Sequence, residues 1–122
     1  MNWQDFPNFE RHEFDSPDAP GSGDNMRYEF MERLQRLRTR CRFPFTINSG
    51  FRTPEHNRSV GGEPNSAHLR GWAADIHCMS SAERYKIIEG AYAMGFQRIG
   101  IYPTFIHLDL DPELPSPVMW TR

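Results

Sequence analysis

Apolar positions recur along this chain with two different periods, and each period predicts one kind of element. In the first third, an apolar side chain returns every three or four positions, at Phe30, Leu34, Leu37 and Cys41. This spacing predicts a helix over residues 26–40, with Asp24 or Asn25 as its N-cap. The preceding residues 15–25, DSPDAPGSGDN, have the Pro, Gly and Asx content of a loop. The aromatic arm before that loop is expected to pack across the domain.

A second helical pattern lies in SSAERYKIIEGAYAMG, where start and stop signals bound an apolar face. Ser80 and Glu83 fit a capping box, and Gly95 is typical of a helix end. The stretch TPEHNRSVGG opens with Thr before Pro and closes on Gly61 and Gly62, so it predicts at most one short helix.

Strands are predicted in four short runs, FPFTINSGF, WAADIHC, RIGIY and FIHLDL. The last two flank Pro103 and are expected to form a hairpin. Because only one helix is placed to act as a crossover, the strands should pair mostly antiparallel. The sequence therefore predicts an α+β fold with a small, mostly antiparallel sheet and two main helices. Residues 1–122 should form one domain, with residues 1–25 as its N-terminal arm and loop.

Two of the predicted strands carry imidazole and carboxylate groups on a single face. Side chains alternate along a strand, so His107, Asp109 and Asp111 project together from FIHLDLD, while its aliphatic side chains face the core. Asp75 and His77 share a face of WAADIHC for the same reason. A rigid strand fixes such groups in the geometry that a metal ion needs.

His68 lies upstream of WAADIHC, in a loop that Gly71 allows to turn back over the strand. Two imidazole nitrogens and one carboxylate oxygen, with a position left for water, form the ligand set of a catalytic zinc site. The alternative for each His–Asp pair alone is ordinary hydrogen-bonded structure. Both pairs together, each on a strand or its approach, favour a metal site on the sheet face.

The motifs around these residues resemble those of the zinc D-Ala-D-Ala metallopeptidases, a group with bacterial carboxypeptidases, phage endolysins and murein endopeptidases. SAHLRGWAAD fits the S-x-H-x-x-G-x-A-x-D signature of that family. SGFRTPEHN resembles its upstream S-G-x-R motif, and IGIYPTFIHLDLDP with PVMW resembles its closing hairpin. The motifs occur in the same order as in the family, and the resemblance covers the chain from about Glu13. It is strongest for the short stand-alone versions in phages and bacterial genomes.

The resemblance implies roles for individual residues. His68, Asp75 and His107 would bind one zinc ion per chain. Arg52 would hold the substrate's carboxylate or polarise the scissile carbonyl group, because its planar fork matches such oxygens. A structural salt bridge is the alternative for Arg52. Ser66 is expected to orient its loop or to form a hydrogen bond to substrate near the metal.

Other residues near the motifs are weaker candidates for the site. His77 is an alternative ligand, or a plain polar residue of its strand. His56 braces its own segment or touches substrate. Ser49 is expected to form a turn. The tryptophans are expected in the core or at the rim of the site: Trp72 and Trp120.

The general base is where the chain departs from the family it resembles. Many members place a Glu three residues before the second zinc histidine, or a His two residues before it. Thr104 and Phe105 occupy those positions here, and neither can accept a proton from water. Asp109 is the best-placed carboxylate, either as the general base or as the partner that orients an imidazole.

Composition narrows the classes of partner. A net charge of −2 gives no electrostatic reason to expect nucleic acid or a membrane surface. No apolar run reaches the length of a membrane span, and the N-terminus lacks the basic start and apolar segment of a secretory signal. Cys41 and Cys78 are expected to be buried thiols without a disulfide.

The function expected from these residues is zinc-dependent hydrolysis, by a monomer, of amide bonds in peptidoglycan stem peptides that contain D-alanine. Such an enzyme would be made in the cytoplasm and reach the cell wall by phage-type release, or serve in cytoplasmic recycling. The competing class is a zinc-stabilised module that binds wall peptides or a protein without catalysis. The missing acid before His107 favours this alternative. The intact ligand set and Arg52 favour the enzyme.

Overall fold

Three α-helices and five β-strands form the fold of residues 1–122 in the computed structural model. The helices are α1 (Tyr28–Cys41), α2 (Pro54–Ser59) and α3 (Ser81–Ala93). The strands are β1 (Ile47–Ser49), β2 (Ala73–His77), β3 (Arg98–Ile101), β4 (Phe105–Asp109) and β5 (Val118–Thr121). The strands form one sheet in the order β1-β2-β4-β3-β5, antiparallel except for the parallel pair β3 and β5. The predicted α+β class and the mostly antiparallel sheet are confirmed.

One row of residues runs straight across all five strands of the sheet. Neighbouring strands pair Ser49 with Asp75, Asp75 with His107, His107 with Gly100, and Gly100 with Trp120. Residues that are paired in this way project from the same face of a sheet. The register of the sheet therefore gathers the chemically interesting side chains of four strands in one line, which we call the cross-sheet row.

Helix α1 begins later than the sequence predicts. The expected caps, Asp24 and Asn25, belong to a separate 3-10 turn over Ser22–Asn25, and the Asp24 carboxylate accepts a hydrogen bond from the indole N–H of Trp3. The helix starts at Tyr28 after Arg27, which makes no side-chain cap. Met26 and Arg27 are both extended, so the helix cannot start directly after either expected cap.

The other two helices begin as the sequence predicts. Ser80 accepts a hydrogen bond from the backbone N–H of Glu83 at the start of α3. Thr53 accepts one from the N–H of His56 at the start of α2, and a proline occupies the first turn there. These bonds satisfy backbone donors that a helix leaves free at its N-terminus.

The hydrophobic core lies on the face of the sheet opposite to the cross-sheet row. A cluster of 19 buried residues joins the inner faces of α1 and α3 to aliphatic residues of β2, β3 and β4 and to aromatic residues of the N-terminal arm. Cys41 and Cys78 are buried free thiols, as predicted. None of the helices is long and apolar enough to cross a bilayer. One sheet face is thereby fixed by packing, and the other is left for polar groups.

Candidate metal centre and cleft

His68, Asp75 and His107 converge on the open face of the sheet. Asp75 and His107 lie opposite each other on β2 and β4. His68 reaches them from the 3-10 turn Ala67–Arg70, where the Ser66 hydroxyl accepts a hydrogen bond from the His68 backbone N–H. One nitrogen or oxygen atom from each of the three side chains lies within 4.8 Å of the other two. The structure therefore brings together the three residues that the sequence analysis selected as metal ligands.

The His68 ring is held by a hydrogen bond on its far side. Its Nδ1 lies 2.6 Å from the backbone oxygen of Gly50, and its Nε2 lies 3.2 Å from Oδ1 of Asp75. Because a carbonyl oxygen can only accept, Nδ1 must carry the hydrogen and Nε2 is left to face Asp75. Burial lowers the pKa of His68, which Asp75 opposes only in part. A neutral imidazole with a free Nε2 is the form that binds a metal.

The His107 ring lies between two carboxylates. Nδ1 is 2.8 Å from Oδ1 of Asp75, and Nε2 is 2.7 Å from Oδ2 of Asp109. Burial would lower the pKa of His107, but the hydrogen bonds with Asp109 and Asp75 outweigh it and raise the pKa to about 9. Both ring nitrogens of His107 therefore face carboxylate oxygens, which favour the protonated imidazole.

Asp75 is the centre of the cluster. Burial would raise its pKa, but His68 and His107 outweigh burial and hold the pKa well below its usual range. Oδ1 faces both imidazoles, while Oδ2 accepts a hydrogen bond from Nη2 of Arg52 at 3.3 Å. The two carboxylate oxygens of Asp75 thus have separate partners, one toward the histidines and one toward the arginine.

Arg52 is anchored by three of its five N–H groups. Nε donates to Ser49, Nη1 to Asn57 at 3.1 Å and Nη2 to Asp75. Burial lowers the pKa of Arg52, and Asp75 and Tyr102 oppose that shift. The predicted salt-bridge alternative is thus present in the structure, and Arg52 also lines the cleft described below. One N–H on each Nη atom has no partner in the protein.

Asp109 is buried beneath the cluster, with its side chain 1% exposed. Oδ2 faces His107, while Oδ1 accepts hydrogen bonds from Nε of Arg98 at 2.9 Å and from the backbone N–H of Asp111. Asp111 itself lies beyond the end of β4 and pairs with Arg70. The expectation that Asp111 continues the polar face of the strand is wrong, because the strand ends at Asp109.

The remaining sequence candidates lie outside the cluster. His77 is exposed at the end of β2, and His56 is half-buried on α2 without a side-chain hydrogen bond. Trp72 packs against the core, and the guanidinium of Arg27 lies 5.5 Å from its ring centre. Trp120 instead forms part of the cleft wall.

A cleft of about 540 Å³ opens above the three candidate ligands. Its lining includes the loop from Val60 to Ser66, which carries Glu63, and the aromatic residues of the hairpin and β5. Sequence reasoning assigned no role to Arg98 and Tyr102, which line this cleft, or to Asn57, which accepts a hydrogen bond from Arg52. A glycine inside a strand, here Gly100, signals close approach of another group and could have indicated the aromatic wall.

A family model described as peptidase M15 matches residues 9–109, which is most of the chain. The chain belongs to the peptidase M15 family. The zinc D-Ala-D-Ala carboxypeptidase of Streptomyces albus G, a curated relative, is 52% identical to it over 33 residues. That match spans 27% of this chain but only 13% of the relative's length, so the likeness to this one protein is local. The resemblance found in the motifs is confirmed at the level of the M15 family.

The donor set of this M15 protein fits a zinc ion. Two imidazole nitrogens and one carboxylate oxygen are ligands that zinc prefers, and three protein ligands leave one position open for catalysis. The outer nitrogen of His68 has a backbone acceptor, and that of His107 has a carboxylate acceptor. Such partners fix the orientation of ligating histidines in metal sites. All three candidate ligands and Arg52 lie within the residues that the family model matches.

Proposed function

We propose that this protein is a zinc-dependent peptidase that hydrolyses amide bonds in peptidoglycan stem peptides containing D-alanine. The observation that carries the proposal is the convergence of His68, Asp75 and His107 at the floor of an open cleft. Membership of the M15 family and the local likeness to a zinc D-Ala-D-Ala carboxypeptidase support the metal and the class of substrate.

The three converging residues would hold the zinc through Nε2 of His68, Nδ1 of His107 and a carboxylate oxygen of Asp75. A bound zinc ion supplies Lewis acidity, which activates water for attack on an amide carbonyl group at neutral pH. Arg52 keeps Oδ2 of Asp75 occupied, so that Oδ1 is the oxygen turned toward the histidines. Hydrogen bonds within the protein thus hold the ligand atoms of all three side chains in place.

Arg52 would bind the carboxylate of the stem peptide. Its two unpartnered N–H groups, one on each Nη atom, are donors that a carboxylate or carbonyl oxygen can use. Its bonds to Ser49, Asn57 and Asp75 hold the guanidinium in place, so little side-chain entropy is lost when substrate binds. Arg52 would therefore align the substrate relative to the ligands.

Asp109 would orient His107. The carboxylate is buried, and each of its oxygens already accepts at least one hydrogen bond from the protein. A general base needs direct access, or access through one water molecule, to the proton that it removes. This burial and these hydrogen bonds therefore favour the orienting role of Asp109 over its alternative, the general-base role.

The second candidate function is a zinc-stabilised module that binds wall peptides without cleaving them. Thr104 and Phe105 favour it, since they offer no proton acceptor just before His107. The open cleft above three protein ligands favours the enzyme, because a purely structural zinc usually has four protein ligands.

The test is hydrolysis of purified muropeptides, read by mass spectrometry. Zinc-loaded protein should release D-alanine from pentapeptides or split cross-linked dimers, and these products distinguish a carboxypeptidase from an endopeptidase. A chelator should abolish product, and added zinc should restore it. His107→Ala should be inactive, while His77→Ala, an exposed histidine outside the cleft, should retain activity. Binding of muropeptides without any product from the zinc-loaded protein would favour the non-catalytic module.

A further inference from the structure

The Tyr102 phenol stands on the cleft wall with a hydrogen that the protein does not use. Tyr102 lines the same cleft as the candidate metal ligands and Arg52. Its ring stacks on that of Phe105, with centres 4.3 Å apart and planes 10° apart. The indole N–H of Trp120 donates to the phenol oxygen at 3.1 Å. Because the oxygen accepts from Trp120, its own O–H remains available, and no acceptor for it lies within the protein.

Trp120 is itself fixed by the parallel pairing of β3 and β5. It lies opposite Gly100 in the cross-sheet row, and a Cβ atom at Gly100 would come within 2.6 Å of the indole ring. The Arg98 guanidinium lies 5.3 Å from the centre of the indole ring, and the His107 ring lies 5.4 Å from it. The indole therefore packs against Gly100, Arg98 and His107, and these contacts direct its N–H toward Tyr102.

We propose that Tyr102 is a catalytic residue whose hydroxyl donates a hydrogen bond to the carbonyl oxygen of the scissile amide as that oxygen gains negative charge. This inference rests on the proposed peptidase function. A preorganised donor in a partly enclosed cleft stabilises developing charge more than it stabilises the neutral substrate. The proton stays on Tyr102 throughout, so the step is hydrogen-bond donation and involves no proton transfer.

Three features of the cleft support this role. The carboxylate oxygens of Asp75 and Asp109 already face hydrogen-bond donors of the protein, so neither side chain supplies a donor to a developing anion. Arg52 has only two free N–H groups, which a substrate carboxylate would use. Tyr102 is thus a neutral donor that lines the same cleft as the three candidate ligands and Arg52.

The first test is Tyr102→Phe, which keeps the stacking on Phe105 and removes only the hydroxyl. We expect kcat on muropeptides to fall on the order of 10²-fold, with KM, bound zinc and the melting temperature unchanged. A phosphinate analogue of D-Ala-D-Ala, which mimics the charged tetrahedral species, should bind more weakly by the same factor. The matched control is Tyr92→Phe on the exposed face of α3, which should equal the wild type in both measurements.

The second test is a double-mutant cycle with Trp120→Phe, which keeps an aromatic ring but removes the N–H that orients the phenol. Trp120→Phe alone should lower kcat about tenfold, and it should add no further loss to Tyr102→Phe. A Tyr102→Phe rate within threefold of the wild type, an effect confined to KM, or a loss that follows zinc content would each overturn the role of Tyr102. An inactive zinc-loaded wild type would instead refute the proposed function itself.

Discussion

Two residues of the site have duties that a sequence motif alone cannot separate. Asp109 faces His107 with one oxygen and Arg98 with the other, and its side chain is buried. Arg52 binds Asp75 and also faces the cleft. At the scale of single residues, function therefore depends on which donor and acceptor positions of a side chain are not already bonded within the protein.

Asp109→Asn separates the two roles of this carboxylate. Asparagine is nearly isosteric and can still accept the hydrogen bond from His107, but it is neutral and a weaker acceptor. If Asp109 orients His107, the substitution should weaken zinc affinity by roughly 10- to 100-fold, and excess zinc should restore turnover. The measurement is kcat as a function of zinc concentration.

A loss on the order of 10²- to 10⁴-fold in kcat that persists at saturating zinc would instead identify Asp109 as the general base. If Asp109→Asn recovers fully with zinc, the base must be sought elsewhere. Glu63 is then the next carboxylate to test, since it is exposed and lines the cleft.

Arg52→Lys retains the positive charge but loses the planar fork with its five N–H donors. We expect kcat/KM on muropeptides to fall by about an order of magnitude or more, with zinc content unchanged, because the three candidate ligands are intact. Arg58→Lys, an exposed arginine six positions along the chain, is the control and should have no effect. Equal activity in the two variants would remove Arg52 from the substrate site.

At the scale of elements, features with a local sequence pattern were predicted correctly, whereas features that depend on contacts between distant residues were not. Alternation along β2 and β4 predicted which side chains share a face, because that property is intrinsic to a strand. The predicted start of α1 is too early because Met26 and Arg27 are extended, and the backbone N–H of Arg27 donates to Gly71, which is distant in the sequence. β5 was not predicted as a strand at all, since it pairs only with β3 and its four residues have no clear alternation.

The loop between α2 and the candidate ligands has a close contact that can be tested. A Cβ atom at Gly62 would lie 2.9 Å from Nη1 of Arg52 and nearer still to the amide oxygen of Asn57. Gly62→Ala should therefore displace the guanidinium and lower kcat/KM by about 10- to 100-fold, because small misplacements of a positioning group are costly.

Gly61→Ala is the matched control for that substitution. Gly61 has a φ of +69°, and a Cβ atom there would meet nothing within 4 Å. It should cost roughly 1–2 kcal/mol in the free energy of unfolding through backbone strain, while kcat/KM stays near the wild-type value. If Gly62→Ala and Gly61→Ala leave activity equally unchanged, the contact between this loop and Arg52 has no role in catalysis.

At the scale of the whole molecule, one face of the sheet packs on the core and the other carries the functional side chains. The core cluster is on one face, and the cross-sheet row with its ligands is on the other. The sequence could predict the candidate ligands because each lies in a local motif, but their convergence depends on the register of β2 against β4 and on the turn that carries His68. Because the core does not include the ligands, the fold should survive loss of the metal.

Zinc removal tests this separation of duties. Zinc needs all three ligands, which come together only in the folded chain, so it should stabilise the folded state by about 2.7 kcal/mol at a free concentration of 100 times its Kd. For a domain of this size the melting temperature should rise on the order of 10 °C. Calorimetric scans of chelated and zinc-saturated protein provide the measurement, and elemental analysis should find about one zinc per chain.

His68→Ala should still melt cooperatively, because the 19-residue core is untouched, but without any shift on adding zinc. His77→Ala should keep the full shift. A wild-type protein whose melting temperature ignores zinc would refute the assignment of His68, Asp75 and His107 as its ligands.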